Sequence, residues 1–129
     1  MENVISHLDE NGYLLGVATG KSQAGLHDTL DLHGLRPKFM TMQTADINPG
    51  KPHPGMIESA LRETGADIEN TVMIGDTTFD MEMAVNAGAL AIGVSWGYHG
   101  VEELIEAGAK IVVDHSEELL HQVTNLLGD

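Results

Sequence analysis

The chain has 129 residues, no cysteine, and 20 acidic against 6 basic side chains, for a formal net charge of −14. That length suits one domain burying about two thirds of its unfolded surface, and the lack of cysteine excludes disulfides, zinc–thiolate sites and thiol catalysis. So acidic a field repels phosphate backbones and anionic lipid surfaces, which argues against nucleic-acid and membrane partners, while it attracts divalent cations.

The opening Met1-Glu2-Asn3-Val4 has no basic leader character, and no apolar stretch approaches membrane-spanning length. A soluble, cytoplasmic protein is expected. Val4–Glu10 reads as a helix ending at Gly12. Short β-type runs then alternate with amphipathic ones: strand Leu14–Ala18, helix Ser22–His33, strand Phe39–Gln43, helix Pro54–Thr64, strand Thr71–Ile74, helix Asp80–Ala87. Strand Leu90–Val94, helix Val101–Ala107, strand Lys110–Val113 and helix Ser116–Leu127 complete the order. Apolar residues recur at helical spacing (Ile57, Ala60, Leu61; Leu120, Val123, Leu127), and Gly34, Gly65, Gly88 and Gly108 mark helix ends. Strict alternation implies right-handed crossovers and an α/β fold, a parallel sheet covered on both faces. Of seven histidines no two have tight ligand spacing, and His27, His33, His115 and His121 are expected to face solvent.

Ligands of an open parallel sheet bind outside the carboxyl ends of its strands, which singles out four loops. Val72-Met73-Ile74-Gly75-Asp76-Thr77-Thr78-Phe79-Asp80 is the most informative. A buried strand delivers Asp76 to its end and the next turn returns Asp80 beside it, a hard-oxygen pair suited to Mg²⁺. The plainer reading makes Thr77-x-x-Asp80 a capping box and Asp76 a turn residue. Thr19-Gly20-Lys21-Ser22 follows a strand and opens a helix, where a hydroxyl and free N–H groups can hold an anion. It fails as a nucleotide-binding P-loop, because position 15 is Leu and Gly16 lies inside the strand; as a plain turn it has Ser22 as N-cap. Asn48-Pro49-Gly50-Lys51-Pro52-His53-Pro54 holds one cation between prolines, fit for a phosphoryl group or a carboxylate, with His53 a loop residue and Pro54 the first residue of a helix. Trp96-Gly97-Tyr98-His99-Gly100 either lines a pocket or, the preferred reading, packs on a neighbouring loop.

In combination, Val17-Ala18-Thr19-Gly20-Lys21-Ser22, Gly50-Lys51-Pro52-His53-Pro54, Gly75-Asp76-Thr77, Asp80-Met81, Asn86-Ala87-Gly88 and Trp96-Gly97-Tyr98 resemble the haloacid dehalogenase superfamily, in particular its phosphoglycolate phosphatase-like group. The resemblance covers essentially the whole chain. It implies a three-layer, doubly wound, Rossmann-like parallel sheet and a Mg²⁺-dependent phosphomonoesterase working through an aspartyl-phosphate on a small phosphorylated metabolite. Thr19 matches the second-motif hydroxyl and, with Gly20 and Lys51, would bind the phosphoryl group. Lys51 matches the third-motif lysine that offsets charge. Asp76 and Asp80 match the fourth-motif acids, Asp76 as a metal ligand and Asp80 as a ligand or as its holder.

The family's first motif, an apolar strand followed by Asp-x-Asp-Gly-Thr, does not occur; Asp9-Glu10-Asn11-Gly12 follows a helix instead. Residues 1–129 therefore resemble a single partial catalytic domain of about five strands, without the central first-motif strand, the nucleophile or the cap domain. Inactivity of the chain by itself is expected, and a non-catalytic pseudophosphatase or binding module is the alternative. A phosphomutase or dehalogenase on the same fold stays open. The gap would be closed by pairing its two flanking strands directly or, as expected, through a homo-oligomer that borrows a segment, unless an N-terminal segment supplies it.

Overall fold

The computed structural model describes residues 2–97 and 99–127; Tyr98, one of the two aromatics of the loop after the fourth strand, lies outside them. The described residues run α1 (Glu2–Glu10), β1 (Gly16–Thr19), α2 (Gln23–Leu32), β2 (Thr41–Thr44), α3 (Gly55–Thr64), β3 (Val72–Gly75), α4 (Thr78–Ala87), β4 (Leu90–Val94), α5 (Val101–Ala107), β5 (Ile111–Val113) and α6 (Glu118–Leu127). The alternation expected from the sequence holds throughout. Two short 3₁₀ turns, Arg36–Lys38 and Ile68–Asn70, were not expected. Strand starts fall later than the apolar runs suggested, so Leu14 precedes β1 and stays 54% exposed.

The helices stop where backbone chemistry requires. Gly65 ends α3 at φ 74°, a left-handed conformation that costs glycine nothing, and its N–H reaches the Leu61 carbonyl at 2.8 Å. Two apolar clusters form on opposite sides of the strands. One joins Met56 and Ile57 of α3 with Met81, Met83 and Ala84 of α4 and Leu104 of α5; the other joins Val4 and Leu8 of α1 with Leu119 and Val123 of α6. Within β4, Ala91 faces the first cluster while Ile92 and Val94 face the second, the period of two expected of a strand covered on both faces. No helix of the described residues is long and apolar enough to cross a membrane.

All five strands pair in parallel, but in two sheets where one was expected. β1 pairs with β2 in the register Gly16–Thr41 to Thr19–Thr44, and β4 lies between β3 and β5. The two sheets run the same way. Thr41 at the start of β2 bonds Glu63 near the end of α3, close before β3 begins, and Lys51 after β2 pairs with Asp80 after β3. β1 and β3 do not pair, so direct closure of the gap does not occur. Between them lies a cleft of about 620 Å³, walled by α3 on one side and by α1 and α6 on the other.

His27 departs from expectation. It is half-buried, and its Nε2 is buried with no hydrogen-bond partner, whereas His33, His115 and His121 are exposed as expected.

Candidate active site

Thr19 and Asp76 lie at the carboxyl ends of β1 and β3, Lys51 in the loop that follows β2, and Asp80 in the first turn of α4. Thr19 is the last residue of β1, and its Oγ1 accepts the Lys21 N–H at 3.2 Å. Gly20 follows it, exposed, with open space where a Cβ would stand, so its lack of a side chain answers no steric demand. Ser22 caps α2 as expected, accepting the Gly25 N–H at 3.1 Å.

Lys51, from the loop after β2, and Asp80, in the first turn of α4, come together although 29 residues apart in sequence. Lys51 Nζ bonds Asp80 Oδ1, and the pair is well shielded: the side chains are 22% and 5% exposed. The second carboxylate oxygen, Oδ2, accepts the Thr77 hydroxyl at 2.9 Å and the Thr77 N–H at 3.2 Å. Thr77 Oγ1 in turn accepts the Asp80 N–H, which completes a capping box at the start of α4. The capping reading of Asp80 is therefore realised, and its other oxygen pairs with Lys51. This packing requires a glycine at 75, because a Cβ there would fall inside the Asp80 side chain.

Asp76 stands on the turn between β3 and α4, half-buried. Its carbonyl accepts the His99 N–H at 3.2 Å, and His99 Nδ1 accepts the Thr78 N–H at 2.9 Å, satisfying an otherwise orphaned donor of α4. Gly97 lies against the Asp76 side chain so closely that no Cβ fits between them. The loop after β4 thus packs on the Asp76 turn, as the preferred reading of its motif had it. Sequence reasoning missed His99 as the residue that clamps the two; its only signal was a histidine next to Gly100 in the aromatic loop.

The Lys51 loop is held by a polar chain that sequence reasoning also missed. Gln43, 1% exposed in β2, accepts Asn48 Nδ2 at 2.8 Å through Oε1 and donates to Thr41 Oγ1 at 2.8 Å. Asn48 Oδ1 accepts the Ser59 hydroxyl at 2.8 Å. From α4, Asn86 Nδ2 donates to the Pro52 carbonyl at 3.0 Å. His53 Nδ1 accepts the Gly55 N–H at 3.0 Å, and Pro54 is the N-cap of α3, one position before its expected place. Satisfied buried polar groups of this kind fix one arrangement, since any rearrangement would strand them.

Two carboxylates beside this chain are held in the ionised form. The Thr44 hydroxyl and then the Gln23 N–H keep Asp46 below the usual carboxylate range, and the Thr41 hydroxyl and then the Gln43 amide do so for Glu63. A carboxyl whose folded pKa is depressed contributes stability above its unfolded pKa and loses it as pH falls through the folded one. Urea unfolding should therefore show wild type exceeding Asp46→Asn at pH 7, with the difference shrinking below roughly pH 4. A difference independent of pH would refute that role for Asp46.

Among the described residues no three His, Cys, Asp or Glu side chains cluster to enclose a metal ion. Mg²⁺ does not require such a cage, since it commonly keeps several waters and takes one or two carboxylates with substrate phosphate oxygens. Asp76 directly follows β3 at its carboxyl end, and both oxygens of Asp80 take part in hydrogen bonds.

The chain is similar to known proteins along nearly its whole length. Residues 1–94 match the family described as haloacid dehalogenase-like hydrolase. Probable phosphatase IndB of Dickeya dadantii is 40% identical over 121 residues, which are 93% of this chain and 53% of that protein. A phosphoglycolate phosphatase of Vibrio cholerae is 28% identical over 95% of this chain and 55% of its own length. The crystal structure of a hydrolase from Pseudomonas syringae superposes with a TM-score of 0.81 at 28% identity, over 95% of this chain and 59% of that one. The chain spans about half the length of the curated relatives it matches.

Proposed function

We propose, for a chain that belongs to the haloacid dehalogenase-like hydrolases, that its strand ends form the phosphoryl-binding part of a Mg²⁺-dependent phosphomonoesterase acting on a small phosphorylated metabolite in the cytoplasm. The observation that carries this reading is the shielded Lys51–Asp80 pair, which joins the loop after β2 to the start of α4, while Thr19 and Asp76 lie at the carboxyl ends of β1 and β3. Phosphoryl transfer is catalysed mostly by positioning and by neutralising charge on the transferring oxygens. Lys51 supplies a cation whose direction is set by Asp80 on one side and the Gln43–Asn48 chain on the other. Thr19 supplies a hydroxyl, and Gly20 leaves the backbone N–H groups after β1 accessible to an anion. Mg²⁺, when bound, adds charge neutralisation at the phosphoryl oxygens. Asp76 is its ligand in this reading, and Asp80 the group that holds Lys51.

In the aspartyl-phosphate route a carboxylate nucleophile attacks phosphorus. These 129 residues contain no Asp-x-Asp-Gly-Thr, so by themselves they bind cation and phosphate without turnover. That is also the behaviour of a non-catalytic binding module.

Calorimetric titration with Mg²⁺ tests the ligand assignment. Binding should be weak, be lost in Asp76→Asn and survive in Asp80→Asn measured under conditions where that variant stays folded. Undiminished binding by Asp76→Asn would overturn the assignment. In parallel, inorganic phosphate added with Mg²⁺ should shift the amide resonances of Thr19, Gly20 and Lys51.

A further inference from the structure

We propose that His99 is a positioning residue for the cation site. It takes the backbone N–H that the Asp76 carboxylate would otherwise bond within its own turn, and so keeps that carboxylate directed at Mg²⁺. The proposal rests on the reading of Asp76 as the Mg²⁺ ligand and adds to it the group that orients the ligand.

An aspartate in a turn has a strong local alternative. Its side-chain oxygen can bond the backbone N–H two residues on, closing an Asx turn. For Asp76 that donor is Thr78, the first residue of α4. The Thr78 N–H lies ahead of the helical ladder and has no carbonyl within the helix to bond. A carboxylate folded back onto it would be turned away from a cation. The donor goes elsewhere: His99 Nδ1 accepts the Thr78 N–H at 2.9 Å. Its neighbours are committed too. The Thr77 N–H bonds Asp80 Oδ2, and the Asp80 N–H bonds Thr77 Oγ1. The N–H groups of Thr77, Thr78 and Asp80 are thus all held by partners other than Asp76.

Strand register delivers His99 to this point. β3 and β4 pair in parallel with Gly75 opposite Gly93, so the two chains leave the sheet side by side. Gly97 lets the second chain pass against the Asp76 side chain, where no Cβ fits. Two residues later the His99 N–H bonds the Asp76 carbonyl at 3.2 Å, so backbone and ring of one residue hold both ends of the turn from Asp76 to Thr78. The half-buried imidazole also meets the Phe79 ring, with centroids 6.3 Å apart and planes inclined at 58°, within the usual range of tilted aromatic contacts. His99 therefore brings two separable things to the turn, an acceptor at Nδ1 and a ring against Phe79. The positioning belongs to the acceptor.

Two substitutions separate them. In His99→Asn the side-chain oxygen stands as many bonds from Cα as Nδ1 does, so the acceptor is kept and the ring lost. His99→Phe keeps a ring and loses the acceptor. Mg²⁺ alone is titrated into the 129-residue chain, these variants and Asp76→Asn, and followed by the amide resonances of residues 75–80. Groups that orient a metal ligand typically contribute about 10–100-fold in affinity, so His99→Phe should bind Mg²⁺ about tenfold weaker or more, and His99→Asn within about threefold of wild type. A crystal structure of His99→Phe should show an Asp76 carboxylate oxygen within hydrogen-bond distance of the Thr78 nitrogen. Should His99→Phe fail to fold, His99→Gln, whose acceptor lies one bond farther from Cα, carries the same expectations. Affinity in His99→Asn no better than in His99→Phe overturns the proposal, because His99 would then act through packing or not at all. Equal affinity in wild type and Asp76→Asn is a different failure, read with His99 intact: it overturns the ligand reading and the proposal with it.

Discussion

Replacing Lys51 by Met is expected to destabilise the chain by about 3 kcal/mol, far more than loss of a surface charge does. The reason lies with the partner. Asp80 is 3% exposed, and one of its oxygens depends on the Lys51 ammonium while the other is committed to Thr77. Removing one member of a buried pair leaves an uncompensated charge in a poorly solvated place, at a typical cost of about 3–5 kcal/mol. Lys51 is 22% exposed, so water can partly replace it and the low end applies. The double variant Lys51→Met/Asp80→Asn removes the stranded charge as well. It should lose clearly less than the sum of the two single losses, a coupling on the order of 1–3 kcal/mol for groups in contact. Chemical denaturation of the four proteins measures this cycle. A Lys51→Met loss under about 1 kcal/mol, the range of exposed pairs, would show the pair to be a solvated contact.

That pair also marks where sequence reading stops. The alternation of elements was legible because it rests on local chemistry: β4 and α5 fall at the expected residues, Leu90–Val94 and Val101–Ala107. Strand starts were misread where an apolar residue precedes the strand, as Leu14 and Phe39 do, because hydrophobicity does not report which backbone groups find a partner. The turns Arg36–Lys38 and Ile68–Asn70 are too short to carry a period. In the site, Thr77-x-x-Asp80 could be read as a capping box because both partners lie within one helical turn. The bond from Asp80 to Lys51 spans 29 residues and leaves no local trace. Gln43, Asn48 and Ser59 look like surface residues in sequence, and only the fold shows that they bond one another and hold the Lys51 loop. The central gap was expected from the resemblance. That its edges stay apart as two sheets is a tertiary outcome: β1 and β3 lie on either side of a cleft walled by α1, α3 and α6, a separation that no local pattern carries.

The 129-residue chain is expected to hydrolyse small phosphomonoesters at a background rate, even with saturating Mg²⁺. In the proposed reading Thr19 and Lys51 bind the phosphoryl group and Asp76 holds the cation, which leaves the nucleophile's role unfilled. Losing the central nucleophile of a site that acts as a unit costs on the order of a million-fold in rate, or about 8 kcal/mol at 1.36 kcal/mol per decade. Binding and electrostatic stabilisation alone can retain roughly a thousand-fold over water, as sites stripped of their nucleophile do. The measurement is hydrolysis of p-nitrophenyl phosphate by wild type and Asp76→Asn, purified in parallel. Any trace of a contaminating phosphatase would appear equally in both preparations. A residual rate that belongs to this chain would instead fall in the variant, because Asp76 is the proposed ligand of the cation. Near-equal, near-background rates are therefore expected. Robust Mg²⁺-dependent turnover that disappears in Asp76→Asn would show that some other group attacks phosphorus here, and it would return the chain to the enzymes.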